Sequence, residues 1–180
     1  MIEPLPKSNP HWYAIYTRPR FEKKLNQQLT EQDYITYLPL VTTLKQWSDR
    51  KKKVQTPLIP SYIFIKANEA DLKESLRFHG VISVLKHLGK PAIVQDYEIE
   101  NLKILLNAPE KILTTENKNL KKGEIVMVEN GVLKGLIAEC VKAKGKYRII
   151  VRIIALSNII EVNIPLSYVS KITNPSANFN

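Results

Sequence analysis

The chain of 180 residues holds a single cysteine, Cys140, so no internal disulfide can form, and such sparing use fits a reducing compartment. The first ten residues, MIEPLPKSNP, carry an acid and three prolines where a secretory signal would need an apolar run. No apolar run approaches the roughly 20 residues of a membrane span. The richest, Arg148–Leu156, is split by Arg152. These absences lead to the expectation of a cytoplasmic protein with no membrane association. Ligating and nucleophilic groups are equally sparse. His11, His79 and His87 stand isolated, and Cys140 has no CxxC partner, which argues against a zinc site. There is no nucleophile elbow, and Leu88-Gly89-Lys90 lacks the upstream glycine of a phosphate-binding loop. Asp96, Glu98 and Glu100 are close in sequence, but they fall at a predicted helix start, where acids offset the helix dipole. No enzymatic activity, cofactor or metal is expected.

Acids are also short against bases, 17 Asp and Glu facing 27 Lys and Arg, for a net charge of +10. That imbalance favours a polyanionic partner, nucleic acid before membrane, with simple solubility as the plain alternative. The excess divides evenly between residues 1–109 and 110–180. With 44% hydrophobic residues the chain can bury a core, and its length suits one domain or two small ones.

The most informative stretch is Pro57–Lys66, PLIPSYIFIK. Side chains alternate along a strand, so Tyr62 and Phe64 share one face and Ile63 and Ile65 the other. Two large aromatics opposite a core face, close to the cations Arg50, Lys51, Lys52 and Lys53, suit a protein that grips another protein beside nucleic acid. A strand buried on both faces would show the same pattern.

Trp12–Tyr16 reads as a strand, followed by a helix with Pro19 near its first turn, Glu22 at its positive end and Phe21, Leu25 and Leu29 on the buried stripe. Lys23, Lys24 and Gln27 then face outward. Ile35–Leu40 is a second strand, and Thr42–Thr56 a protruding hairpin with a polar, basic tip. Asn68 caps a short helix bearing Leu72 and Leu76. Val81–Leu85 and Ala92–Val94 are short strands, and Asp96 caps a helix with Ile99, Leu102 and Leu106 inward. Strands alternating with helices point to an α+β sandwich. Residues 109–120 read as a polar linker. Beyond it the pattern is strand only: Glu124–Glu129, Leu136–Ala143, Tyr147–Ile154, Ile159–Pro165 and Val169–Ile172, with Gly131, Gly135 and Lys144-Gly145 at turns. Five short strands suggest a small barrel. Asn130-Gly131 and Lys144-Gly145 suit short hairpin connections.

His11–Glu22, HWYAIYTRPRFE, together with PLIPSYIFIK resembles the N-terminal domain of the NusG family of transcription elongation factors. Lys122–Ile172 resembles the KOW domain, an SH3-like barrel, that follows it there. The form GVLKGLIAECVKAKGKYRIIVRI is most similar to the specialised UpxY-type paralogues of Bacteroides, relatives of RfaH that act as antiterminators on surface-polysaccharide operons. Ala138 stands where the KOW pattern usually has a second glycine, and Asp71–Glu74 where RfaH has threonines. The resemblance implies an N-terminal NusG-type domain over 9–108, a linker over 109–120, a KOW barrel over 121–173 and a loose tail over 174–180. It implies docking on the clamp helices of bacterial RNA polymerase through Tyr16, Tyr62, Phe64, Leu88 and Ile99. It also implies contact of Arg18, Arg20, Lys23 and Lys24 to non-template DNA or nascent RNA; Arg50, Lys51, Lys52 and Lys53, four adjacent cations that repel each other unless an anion lies near, are read from their charge as a further nucleic-acid contact. The KOW domain would recruit the termination factor Rho or a small-subunit ribosomal protein, and the factor would act as a monomer. A ribosome-associated KOW-type RNA-binding protein is the alternative.

Overall fold

The computed structural model describes residues 9–46, 50–107, 113–115, 123–143, 146–153, 158–162, 164 and 166–173. The chain forms two compact units, Met1–Ile93 and Val94–Asn180.

In the first unit, β1 (His11–Thr17) is followed by α1 (Glu22–Thr30), β2 (Ile35–Tyr37), β3 (Leu40–Gln46), β4 (Lys51–Pro57), β5 (Tyr62–Ala67), α2 (Glu69–Ser75), β6 (Val81–Val84), β7 (Lys86–His87), β8 (Lys90–Pro91) and β9 (Ile93–Val94). The main sheet runs β2-β5-β1-β6, with β9 also paired to β1. β1 and β5 are antiparallel, with Tyr13 opposite Ile65 and Ile15 opposite Ile63. That register gathers the branched residues of both strands on one face. Leu25 and Leu29 of α1, Leu72 of α2 and Val84 of β6 complete the core there. The stripe expected for α1 is observed, Phe21 packing half-buried at its edge.

Asn68 caps α2 as expected, its Oδ1 accepting the Asp71 N–H at 2.9 Å. The second expected strand is cut short. β2 stops at Tyr37, because Pro39 has no N–H for a ladder, and the chain leaves the sheet to start β3. β3 and β4 form the expected hairpin, from Leu40 opposite Pro57 to Gln46 opposite Lys51. Residues 47–49 of its tip lie outside the described residues. Pro19 does not enter α1. The helix starts at Glu22 after a turn through Arg20.

The second unit opens with α3 (Asp96–Asn107). Gln95 donates its N–H to the Glu98 carboxylate at 2.8 Å, so an acid of the first turn folds back as a cap. Ile99, Leu102 and Leu105 are buried, whereas Leu106, expected inward, is half-buried. Spacings of three and four both fit a 3.6-residue period, and packing decided between them. β10 (Leu113–Thr115), β11 (Glu124–Val128), β12 (Ile137–Ala143), β13 (Lys146–Ile153), β14 (Asn158–Val162) and β15 (Val169–Lys171) follow.

All five expected strands are present, and together with β10 they pair antiparallel in the order β10-β14-β13-β12-β11-β15. Among the described residues this pairing is an open path, so the sheet is established and barrel closure is not. Leu113–Thr115, expected inside a linker, instead adds β10 to the edge of β14. The remaining linker residues and the tail from 174 lie outside the described residues. Ala143 pairs with Lys146, and Lys144-Gly145, expected as a short hairpin connection, lie outside the described residues. Asn130-Gly131 instead belongs to a longer loop, closed by Gly135 N–H on the Val128 carbonyl.

α3 packs against β12 and β13. Its Asn101, 1% exposed, accepts the Ile137 N–H at 2.9 Å and donates its amide to the Ile137 carbonyl. One carboxamide thereby does the work of a neighbouring strand at the start of β12. Asn101→Ala is expected to cost the second unit about 2–4 kcal/mol, because two buried backbone groups lose their partner at once. Urea unfolding checks this, and Asn101→Asp should not restore the loss, since an ionised carboxylate cannot donate to the carbonyl. Among the described residues no helix is long and apolar enough to cross a membrane.

Candidate functional site

Alternation places Trp12, Ala14 and Tyr16 of β1 beside Lys66, Phe64 and Tyr62 of β5 on the sheet face opposite the helix-covered core. Tyr16 lies directly across from Tyr62, with ring centroids 5.3 Å apart, and both side chains are half-exposed. Burial, and secondarily Tyr16, pushes the Tyr62 phenol above its ordinary value of 10. It therefore stays protonated near neutrality and can donate a hydrogen bond. At the far end of this face the Lys66 ammonium lies 5.9 Å from the Trp12 ring.

Phe64 is different. It is 0% exposed, with Tyr37 stacked on it at 6.4 Å. It supports the tyrosine pair from within the protein. Leu88 stands 91% exposed at the tip of the β7–β8 hairpin, with a left-handed φ of 50°. Ile99 belongs to α3 in the second unit and is 1% exposed. Of the five residues expected on a protein-binding face, the structure thus brings Tyr16 and Tyr62 together at the surface, presents Leu88 separately, and buries Phe64 and Ile99.

The turn from β1 into α1 is held by a small knot of backbone bonds. Thr17 N–H donates to the Ser61 carbonyl at 2.8 Å, and Arg18 N–H to the Gly80 carbonyl at 2.9 Å. Ser61 N–H in turn donates to the Glu22 carboxylate at 2.7 Å. Glu22 is only 5% exposed. Sequence reasoning put it at the helix end to offset the dipole, but its carboxylate turns inward and fixes Ser61, which has φ of 63°. Ser61 immediately precedes Tyr62, so the same carboxylate sets where the exposed aromatic pair begins. Gly80, at φ of 98°, passes so close to Phe21 that a Cβ there would meet the ring at 2.0 Å. The three segments 17–22, 61 and 79–80 thus meet in one place. A left-handed serine and an inward carboxylate have no local sequence signature, which is why this knot was missed.

From this turn the cations project. Arg18, Arg20, Lys23 and Lys24 are all exposed, and the Lys24 ammonium lies 5.4 Å from the Phe21 ring. Arg50, Lys51, Lys52 and Lys53 are exposed along the approach to β4 and its first residues. The two groups, read separately in the sequence, approach one another. Lys23, Thr42, Lys52, Lys53, Val54 and Gln55 line one open cleft of about 690 Å³. Asp71 also accepts from the Asn68 amide at 2.7 Å.

Among the described residues no group of three or more His, Cys, Asp and Glu side chains is placed to hold a metal ion. Burial and the nearby Glu124 carboxylate push the Cys140 thiol up, away from the thiolate a nucleophile needs.

The family model described as "Transcription termination factor nusG" matches residues 10–103. A "Transcription termination/antitermination protein NusG" from Rickettsia felis is 28% identical over 171 residues, spanning 87% of this chain and 88% of that protein. The protein of the same name from Rickettsia typhi is 27% identical over 177 residues, spanning 90% and 92%. Among solved structures, "Domain interaction in Thermotoga maritima NusG" aligns over 91% of this chain and 98% of that chain, at 18% identity and a TM-score of 0.46.

Proposed function

This chain belongs to the NusG family, and from that premise we propose that it is a specialised transcription elongation and antitermination factor that works by binding, without chemistry of its own. Its first unit docks on the clamp helices of RNA polymerase through the Tyr16–Tyr62 pair, with Leu88 as a second apolar contact and Phe64 as the support beneath. The observation that carries this reading is the exposed half of that aromatic pair, held by the Glu22–Ser61 bond beside a group of projecting cations. Aromatic rings with polar tips suit an interface that is wet at its edge.

Bound across the polymerase cleft, the factor favours the closed clamp. Pausing requires the clamp to move, so tighter binding to the closed state shifts the population away from pausing and termination. Arg18, Arg20, Lys23 and Lys24, with Arg50–Lys53, neutralise phosphates of the non-template strand or the nascent RNA. The C-terminal sheet recruits a further factor, Rho or a small-subunit ribosomal protein, and the protein acts as a monomer in the cytoplasm. The UpxY-like form of residues 131–153 supports service to few operons, such as those for surface polysaccharides.

The test is to sequence the nascent transcripts that co-purify with the tagged protein. Polymerase together with a few enriched operons is expected. Genome-wide coverage would make it a general factor, and recovery of ribosomal subunits without polymerase would replace this reading with a ribosomal one.

A further inference from the structure

We propose that Asn130 is a site of spontaneous covalent modification, where attack by the Gly131 backbone nitrogen on the side-chain carboxamide converts asparagine to aspartate and isoaspartate. Water is the only co-reactant.

Asn130 is the only asparagine of the chain that precedes a glycine. The pair stands in the loop between β11 and β12, and both residues are exposed. Among the described residues neither the Asn130 carboxamide nor the Gly131 N–H has a hydrogen-bond partner. Both reacting groups are therefore free to turn toward each other. Gly131 has no Cβ to shield its nitrogen, and it takes φ of 83° without strain. Other asparagines are held. The Asn101 carboxamide is bound on both sides by Ile137, and that of Asn68 by Asp71.

The Gly131 nitrogen loses its proton as it bonds to Asn130 Cγ, and the Cγ–Nδ2 bond breaks with release of ammonia. Water then opens the cyclic imide at one of its two carbonyls. Opening at Cγ gives aspartate, with the main chain as before. Opening at the main-chain carbonyl leaves the chain running through Cβ and Cγ as isoaspartate, one carbon longer. Nothing is oxidised or reduced, and either product carries a carboxylate where a neutral amide stood.

The extra carbon falls between anchored neighbours. Glu129 N–H donates to the Tyr168 carbonyl at 2.7 Å, and Lys134 N–H to the Gly131 carbonyl at 3.2 Å. The Tyr168 ring lies over Gly131, 3.3 Å from the place a Cβ would take. A lengthened chain cannot keep all three contacts. The Glu129–Tyr168 bond extends the β11–β15 pairing one step beyond Val128 and Val169, at the end of the ladder, and is the one expected to open. The modification thereby loosens the corner that exposes Val132 and Tyr168.

The test ages the full-length protein in mildly alkaline buffer and follows the tryptic peptide Gly123–Lys134 by mass spectrometry. The expected result is a mass gain of about 1 Da, amide exchanged for carboxylate, with the peptide splitting into two chromatographic peaks. Peptides holding Asn68 and Asn101 should keep their mass. Conversion in the native protein should run within about tenfold of the rate in the guanidinium-unfolded chain, since no bond holds either reacting group. Asn130→Gln should leave the peptide unchanged. In aged protein the Glu129 amide should exchange with solvent at least about tenfold faster than in Asn130→Asp, which gains the charge without the extra carbon. Native conversion slower than the tenfold limit, or a gain that Asn130→Gln does not remove, would overturn the modification site. A Glu129 amide equally protected in aged protein and in Asn130→Asp would overturn its effect on the sheet.

Discussion

Replacing Phe64 with alanine should destabilise the first unit by about 3–5 kcal/mol, the usual cost of emptying a fully buried aromatic site. Replacing Tyr16 and Tyr62 with alanine should cost less per ring, about 1–1.5 kcal/mol each, since both are only half-buried. The binding results should run the other way. The tyrosine double variant is expected to lose about 2 kcal/mol of polymerase affinity, roughly 30-fold, because half-exposed aromatic anchors carry a large share of interface energy. Phe64 and Tyr62 are two residues apart on one face of β5, but Phe64 is 0% exposed and Tyr62 reaches the surface. Thermal melts paired with polymerase pull-downs decide the matter. A tyrosine double variant that binds polymerase as the wild type does would remove this face from the interface. One that fails to fold would show that the pair belongs to the core.

Gly80→Ala should be nearly as damaging, at about 3 kcal/mol. The new methyl would meet the Phe21 ring at 2.0 Å, and φ of 98° is strained for any residue with a Cβ. Moving the backbone to escape would pull the Gly80 carbonyl from the Arg18 N–H, which it accepts at 2.9 Å. Adding Phe21→Ala removes the collision but not the backbone strain. The double variant should therefore be less destabilised than the sum of the two single variants, and a double-mutant cycle by urea unfolding measures the difference. Strict additivity would mean that the ring turns aside without resistance.

Elements whose pattern is carried by their own residues were legible. β1 and β5 follow from alternation, α1 from Leu25 and Leu29, and the cap of α2 from Asn68 alone. The five C-terminal strands were readable because β-branched residues recur between turn signals. Features that depend on a distant partner were not. Leu113–Thr115 is too short to show a period, and it becomes a strand only because β14 offers an edge. Alternation put Phe64 with Tyr62, but nothing local tells which of two neighbours on a face is covered. Tyr16 was placed on the site by resemblance, and its position opposite Tyr62 follows from the strand register. Lys23 and Lys52 are separated by the whole of β2 and β3, so their shared cleft emerges only once the hairpin is folded. Nothing local marks Asn101, because its partner Ile137 lies 36 residues away.

Where a gene is cut, and what is exchanged between relatives, depends on that last contact. The family match runs to residue 103, which invites a division of the protein after α3. A C-terminal piece beginning at 121 would leave Asn101, Leu102 and Leu105 behind, exposing the sheet surface that α3 covers and returning both backbone groups of Ile137 to water. A piece beginning at Val94 keeps helix and strands together. Chimeras assembled from two relatives should likewise carry residues 94–107 with the C-terminal half rather than the N-terminal one. A transplanted sheet is otherwise deprived of a carboxamide that its new host has no reason to supply.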